Sequence, residues 1–146
     1  AFTKLYGMAG VRLGYCLCSD TELLARMRAA GQPWAVSSLA QAAGIAALDE
    51  TEYVAKVRAL IEAQRPVLAD GLRALGLRVI EGRANYLLFR APEALGEALR
   101  RKGAVLRSCG NYPGLDASWY RTAVRTENEN RQLLALLAET LPEVAQ

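Results

Sequence analysis

Three features of the 146-residue sequence predict a mixed α/β fold. From residue 76 onward, short β-branched or aromatic runs alternate with helical periodicities in the order strand, strand, helix, strand, strand, helix. Stretches opening at Asp49 and at about Glu127 carry apolar residues three and four apart, the mark of amphipathic helices. Near the beginning, three glycines within residues 7–14 lead straight into an apolar run. Hydrophobic types make up 52% and charged types 23%, so the chain has the apolar material for a core and is set apart from disordered tails.

The opening, Phe2 to Cys18, reads as a glycine-rich loop followed by a buried strand over the run after Gly10. A buried strand needs neighbours on both sides, so material upstream of residue 1 is expected. Asp20 to Ala30 is a short helix capped by Asp20, with Leu23, Leu24 and Met27 at helical spacing. Gly31-Gln32-Pro33-Trp34 breaks it. Ser37 to Ile45 is rich in small residues and helix-competent. Asp49 opens a longer helix bearing Tyr53, Val57, Leu60, Ile61 and Leu68, which Pro66 is expected to kink or divide and Gly71 and Gly76 to loosen.

Leu77 to Ile80 and Asn85 to Phe89 are strands around an 81–83 turn. Pro92 to Arg101 is a helix, Ala104 to Arg107 and Trp119 to Val124 are further strands, and a last helix runs from about Glu127 to Leu141, closed by Pro142. This second half predicts a small α/β sandwich with helices over one face.

The chain contains no histidine, which removes imidazole-based triads, Cys/His dyads and imidazole-ligated metal sites. Three cysteines, Cys16, Cys18 and Cys109, have neither disulfide nor metal spacing, and a reducing cytoplasm is the expected compartment. A net charge of +3, with arginines spread among acidic positions, points away from a nucleic-acid partner. No apolar stretch approaches the roughly 20 residues of a membrane span, and no secretion signal opens the chain. Catalysis therefore falls to lysine, carboxylate, tyrosine, cysteine or a bound cofactor.

Lys4 is one of three lysines, with Lys56 and Lys102. Between Thr3 and a glycine loop it is either a surface residue or an amine held beside a cofactor, where an aldehyde forms a Schiff base with it. Arg12, eight residues on, is suited to hold a phosphate together with backbone N–H groups and the Thr3 hydroxyl. Arg107, Arg121 and Arg125 stand at or near strand ends, and alternation puts Arg121 and Arg125 on one face if the strand reaches that far. Arginine forks suit planar carboxylates and phosphates, so the three point to a substrate with more than one negative group; the alternative is solvated or ion-paired arginine on an edge strand. Trp34 is a core or interface filler, or a ligand wall. Tyr86 and Asn85 begin an apolar strand, and the loop 109–115 is rich in turn residues.

The segment Phe2-Thr3-Lys4-x-Tyr6-Gly7-x-Ala9-Gly10-x-Arg12-x-Gly14-Tyr15 resembles the cofactor-lysine segment of the fold-type I pyridoxal phosphate enzymes, in the branch containing histidinol-phosphate aminotransferase. Later pieces, Gln32-Pro33-Trp34-Ala35-Val36, Ala84-Asn85-Tyr86-Leu87-Leu88-Phe89, Arg107-x-Cys109-x-Asn111-Tyr112-x-Gly114-Leu115 and Tyr120-Arg121-x-Ala123-Val124-Arg125-Thr126-x-x-Glu129-Asn130, are similar to the L-threonine-O-3-phosphate decarboxylase family of cobalamin biosynthesis. The resemblance covers almost the whole chain.

It implies that the α/β fold is the C-terminal part of a fold-type I pyridoxal 5'-phosphate-dependent transferase. Residues 1–32 would be the tail of the large cofactor-binding domain, 33–75 an interdomain helical segment, and 76–146 the small domain. It further implies Lys4 as the Schiff-base lysine and Arg12 as a phosphate ligand helped by Thr3. Arg121 falls where the substrate α-carboxylate is gripped, with Arg125, Arg107 and Asn111 candidates for a second anionic group.

The implied activity is decarboxylation of a phosphorylated amino acid. The alternatives are transamination and, from another class, a non-catalytic α/β interaction module. Relatives are about twice this length and homodimeric, and their upstream half supplies most ring contacts. The 146-residue piece is therefore expected to be inactive alone.

Overall fold

The computed structural model describes residues 2–144 and falls into two compact units, Ala1–Val57 and Arg58–Gln146, divided within helix α4 (Thr51–Ala74).

The first unit holds α1 (Phe2–Leu5), a 3-10 turn (Ala9–Val11), α2 (Thr21–Ala30), α3 (Ser38–Asp49) and the start of α4. The cap expected at Asp20 is in place, and Ser37, expected inside a helix, caps α3 instead. Asp20 accepts a hydrogen bond from the Leu23 amide at 2.9 Å and Ser37 Oγ accepts one from the Ala40 amide at 3.2 Å, each satisfying an orphan donor of a first helical turn.

Phe2 is the buried anchor of the opening segment. Its ring stacks on Tyr6 at 5.3 Å and meets Tyr15 edge-on at 5.9 Å, while Tyr6 stacks on Tyr53 at 6.3 Å. Gly44 of α3 makes room for this packing: a Cβ there would stand 2.3 Å from Leu13 Cδ2 and 3.8 Å from Phe2 Cζ.

The strand expected after Gly10 does not form. Residues 12–19 are irregular, and Tyr15 to Cys18 are exposed. The cause is the hydrogen-bond requirement of an extended backbone, because this unit has no strand among its described residues to complete a ladder.

The second unit is built on a four-stranded antiparallel sheet of β1 (Arg78–Ile80), β2 (Tyr86–Arg90), β3 (Arg107–Ser108) and β4 (Trp119–Ala123), in the order β1-β2-β4-β3. Alternation assigns its faces. Leu87, Phe89, Tyr120 and Thr122 are buried, whereas Tyr86, Arg90 and Ala123 are exposed. The buried face packs with α4, α5 (Leu95–Arg101) and α6 (Glu127–Val144) around Leu68, Leu72, Phe89, Leu95, Leu99 and Leu137. Each of these fully buried side chains contributes roughly 1.5–3 kcal/mol. The predicted single-faced α/β arrangement is therefore present.

Several boundaries differ from expectation for local reasons. α4 runs unbroken through Pro66, because Leu68, Ala69 and Leu72 bury directly after it and outweigh one missing backbone bond. Gly71 does not loosen the helix. It admits Leu134, whose Cδ1 would lie 2.4 Å from an added Cβ, and the helix ends instead at Gly76, whose φ of +78° suits glycine.

The third strand is confined to Arg107–Ser108, since the Ala104 amide is taken by the Leu99 carbonyl closing α5, at 2.9 Å. α5 begins at Leu95 rather than Pro92. α6 continues past Pro142 to Val144, where Leu141 and Val144 pack on the core and Glu143 meets Lys102 at 2.7 Å.

Candidate functional site

Lys4, Thr3 and Arg12 are displayed by the first unit. α1 is a single turn pinned by Phe2, which leaves Thr3 half-buried and Lys4 exposed. The turn closes where the Gly7 amide donates to the Lys4 carbonyl at 3.2 Å, with Gly7 at φ +65°. Arg12 also adopts a left-handed backbone, φ +57°, unusual for a side-chain-bearing residue. Its Nη1 donates to the Ala9 carbonyl at 3.1 Å, folding the guanidinium back over the glycine loop.

A Cβ added at Gly7, Gly10 or Gly14 would meet nothing within 4 Å, so the loop backbone is open to approach. An amine and a hydroxyl on α1, with a guanidinium and open backbone on the loop that follows, are a donor set whose chemistry fits a group carrying an aldehyde and a phosphate. Among the described residues no cluster of three or more metal-ligating Cys, Asp or Glu side chains occurs. Cys16, Cys18 and Cys109 are free thiols.

The arginines belong to the second unit, and the structure brings two of the three together. Arg107 of β3 and Arg121 of β4 are direct cross-strand partners on the sheet face opposite the helices. Neither has a carboxylate within 4 Å among the described residues. Each lies over an aromatic ring, Arg121 over Tyr86 with Cζ 4.6 Å from the centroid and Arg107 over Tyr112 at 5.8 Å. Asn111 Oδ1 accepts from Arg107 Nη2 at 3.4 Å, which joins Asn111 to the cluster.

Arg125 does not share this face. β4 ends at Ala123, and Arg125 enters the cap of α6, paired with Glu129 at 2.6 Å. Strand alternation stopped two residues short because the chain turns there to begin a helix. Thr126 and Glu129 form a reciprocal capping box: the Thr126 amide donates to Glu129 at 3.2 Å and its hydroxyl at 2.7 Å. These Thr126 bonds, the hydroxyl first, hold the Glu129 carboxyl below its ordinary range, with Arg125 adding to the effect.

Trp34, in the first unit, is 97% exposed and does not fill that unit's core. In the sequence Asn130 stands only as part of the Tyr120–Asn130 motif, with no role of its own. Only 2% exposed, it accepts from the Arg125 amide at 3.1 Å and donates to the Arg125 carbonyl at 2.9 Å and to Gln64 Oε1 at 3.2 Å. A polar residue on the inward side of an amphipathic helix was the available signal. The rings of Tyr86 and Tyr112 were visible as types, but their arginine partners emerge only with the register.

Two guanidiniums thus share one sheet face of the second unit, and a lysine-bearing segment with a glycine-rich turn opens the first. The chain belongs to the aminotransferase class I and II family, which matches residues 1–137; proteins of this family use pyridoxal 5'-phosphate.

It is 38% identical over 149 residues to threonine-phosphate decarboxylase of Salmonella typhimurium, covering 99% of this chain and 41% of that protein. It is 40% identical over 145 residues to histidinol-phosphate aminotransferase of Symbiobacterium thermophilum, covering 97% and 39%. Among solved structures it is similar to histidinol-phosphate aminotransferase from Clostridium acetobutylicum, with a TM-score of 0.92, 31% identity, and coverage of 98% of this chain and 45% of that one. The chain thus spans about two fifths of the curated relatives it matches. Among the described residues, no helix is long and apolar enough to cross a membrane.

Proposed function

We propose that this chain is the C-terminal part of a pyridoxal 5'-phosphate-dependent enzyme that decarboxylates a phosphorylated amino acid, L-threonine O-3-phosphate. In this reading residues 1–32 are the tail of the cofactor domain, 33–75 link the domains and 76–146 form the small domain, in a cytoplasmic enzyme that pairs as a homodimer. The observation that carries the reading is the Arg107–Arg121 pair, two unneutralised forks side by side on one sheet face.

When bound, the cofactor supplies an aldehyde carbon for amines and a ring that accepts the electron pair released at Cα. Lys4 provides the amine that holds the cofactor and afterwards moves a proton at Cα. Arg12 and Thr3 hold the phosphate. Arg121 grips the substrate carboxylate, Arg107 and Asn111 take the second anionic group, and Arg125 reaches that group on release from Glu129. These grips would fix the orientation of the substrate's bonds at Cα, and so decide the reaction.

A second reading, transamination of the histidinol-phosphate type, draws on the pairing of Arg125 with Glu129, which leaves two forks rather than three on the face.

The test is borohydride reduction of the chain with pyridoxal 5'-phosphate, followed by peptide mapping. Saturable labelling of Lys4, abolished in Lys4→Ala, is expected; equal labelling of Lys4, Lys56 and Lys102 would sink the assignment. In a chain of the relatives' full length, carbon dioxide release from phosphothreonine is expected. Amino transfer to a keto acid without carbon dioxide would establish the second reading instead.

A further inference from the structure

Arg121 is an unusual side chain to find in one place. Its direct cross-strand partners are Leu88 on β2 and Arg107 on β3, one apolar and one of like charge, and no carboxylate lies within 4 Å among the described residues. A long side chain in such surroundings loses rotamer freedom when it is fixed, and repulsion from Arg107 adds to that cost.

One contact opposes both effects. Tyr86 pairs with Ala123 on β4, two residues from Arg121, which makes it the diagonal same-face neighbour, and the guanidinium carbon lies 4.6 Å from its ring centroid. Ala123 contributes only a methyl group, so nothing bulky separates ring and guanidinium along this edge. Tyr86 itself is anchored through the β2 ladder and remains 40% exposed, so its ring is not required by the core.

We propose that Tyr86 is the positioning residue of Arg121: its ring face holds the guanidinium over the open sheet face before any ligand arrives, so that an anion meets a pre-set fork. This deepens the proposed function and rests on that reading only for the identity of the anion. The ring quadrupole is the active element, so Phe should serve in place of Tyr and an aliphatic side chain should not. Pre-setting removes the ordering cost at the moment of binding and therefore shows in affinity.

The test uses NMR of the Arg121 Nε–Hε group in the 146-residue chain and its Tyr86→Phe and Tyr86→Leu variants. Ring-current displacement and restricted motion of Arg121 are expected in the parent chain and in Tyr86→Phe, and both should be lost in Tyr86→Leu. A Tyr86→Leu variant with an equally ordered Arg121, or a parent chain with an undisplaced and freely moving Arg121, would overturn the proposal.

O-phospho-L-threonine is then titrated as the probe. Its binding is expected to weaken about threefold to fivefold in Tyr86→Leu and to stay unchanged in Tyr86→Phe. Equal affinity in all three would also overturn the proposal. If the probe shifts neither Arg107 nor Arg121 in any chain while the ring effect persists, the substrate reading of the face fails and the positioning contact stands.

Discussion

Arg107 stands directly opposite Arg121 across the β3–β4 ladder, so two guanidiniums share one sheet face with no carboxylate within 4 Å of either among the described residues. Like charges in this position oppose sheet formation by a few tenths to about 1 kcal/mol. In the proposed function this pair is where the anionic substrate would be received.

Arg107→Gln should therefore stabilise the chain by a few tenths of a kcal/mol at low ionic strength. The gain should vanish near 1 M salt, where screening acts over about 3 Å. Urea denaturation at the two salt concentrations reads this directly, and a loss of stability at low salt would contradict the repulsion.

Asn130→Ala should destabilise the second unit by about 2–3 kcal/mol, because it strips partners from the Arg125 amide, the Arg125 carbonyl and Gln64 at once. Denaturation midpoints at unchanged slope would show it. A change below about 0.5 kcal/mol would mean that solvent replaces the amide at no cost.

Stability should fall at both ends of the pH range, from separate groups. The Ser118 hydroxyl, then its amide, hold the Asp116 carboxyl below its ordinary value of 3.8, with Arg90 assisting. Because the folded value is depressed, this contribution is fully present above 3.8 and is lost as pH falls through the lower folded value. Glu139 and Glu143 hold Lys102 above its ordinary 10.5, so that contribution is complete below 10.5 and is lost as pH rises through the raised value. Thermal melts across pH should lose part of the acid limb in Ser118→Ala and part of the alkaline limb in Lys102→Met. An unchanged difference from the parent chain at every pH would reject these assignments.

The Asp20 cap was legible because it is local: its carboxylate bonds an amide three residues away, within reach of a sequence pattern. Ser37 caps α3 in the same way but reads from the sequence as a helical residue. The glycine turn after α1 was legible for the same reason as the Asp20 cap, its residue types lying within one short segment. Proline misled twice. Pro66 and Pro142 each lack one donor, and local rules count that loss without the burial of Leu68, Leu72, Leu141 and Val144 that outweighs it.

The strand expected after Gly10 shows the reverse case. Its apolar run satisfies every local criterion, but an extended backbone is stable only when other strands accept its hydrogen bonds, and a single segment cannot encode their presence. Arg121 and Arg125 follow the same division. Their residue type raised the expectation of an anion, whereas the end of β4 at Ala123 and the β3–β4 register selected Arg107 as the neighbour of Arg121 and sent Arg125 to Glu129.

Residue chemistry, caps and the single-faced α/β pattern follow from interactions within a few residues, and so they could be read along the chain. Which guanidiniums meet, which ring lies beneath Arg121 and which carbonyls Asn130 satisfies depend on pairings between distant segments, and these are settled only when the core closes and fixes the register.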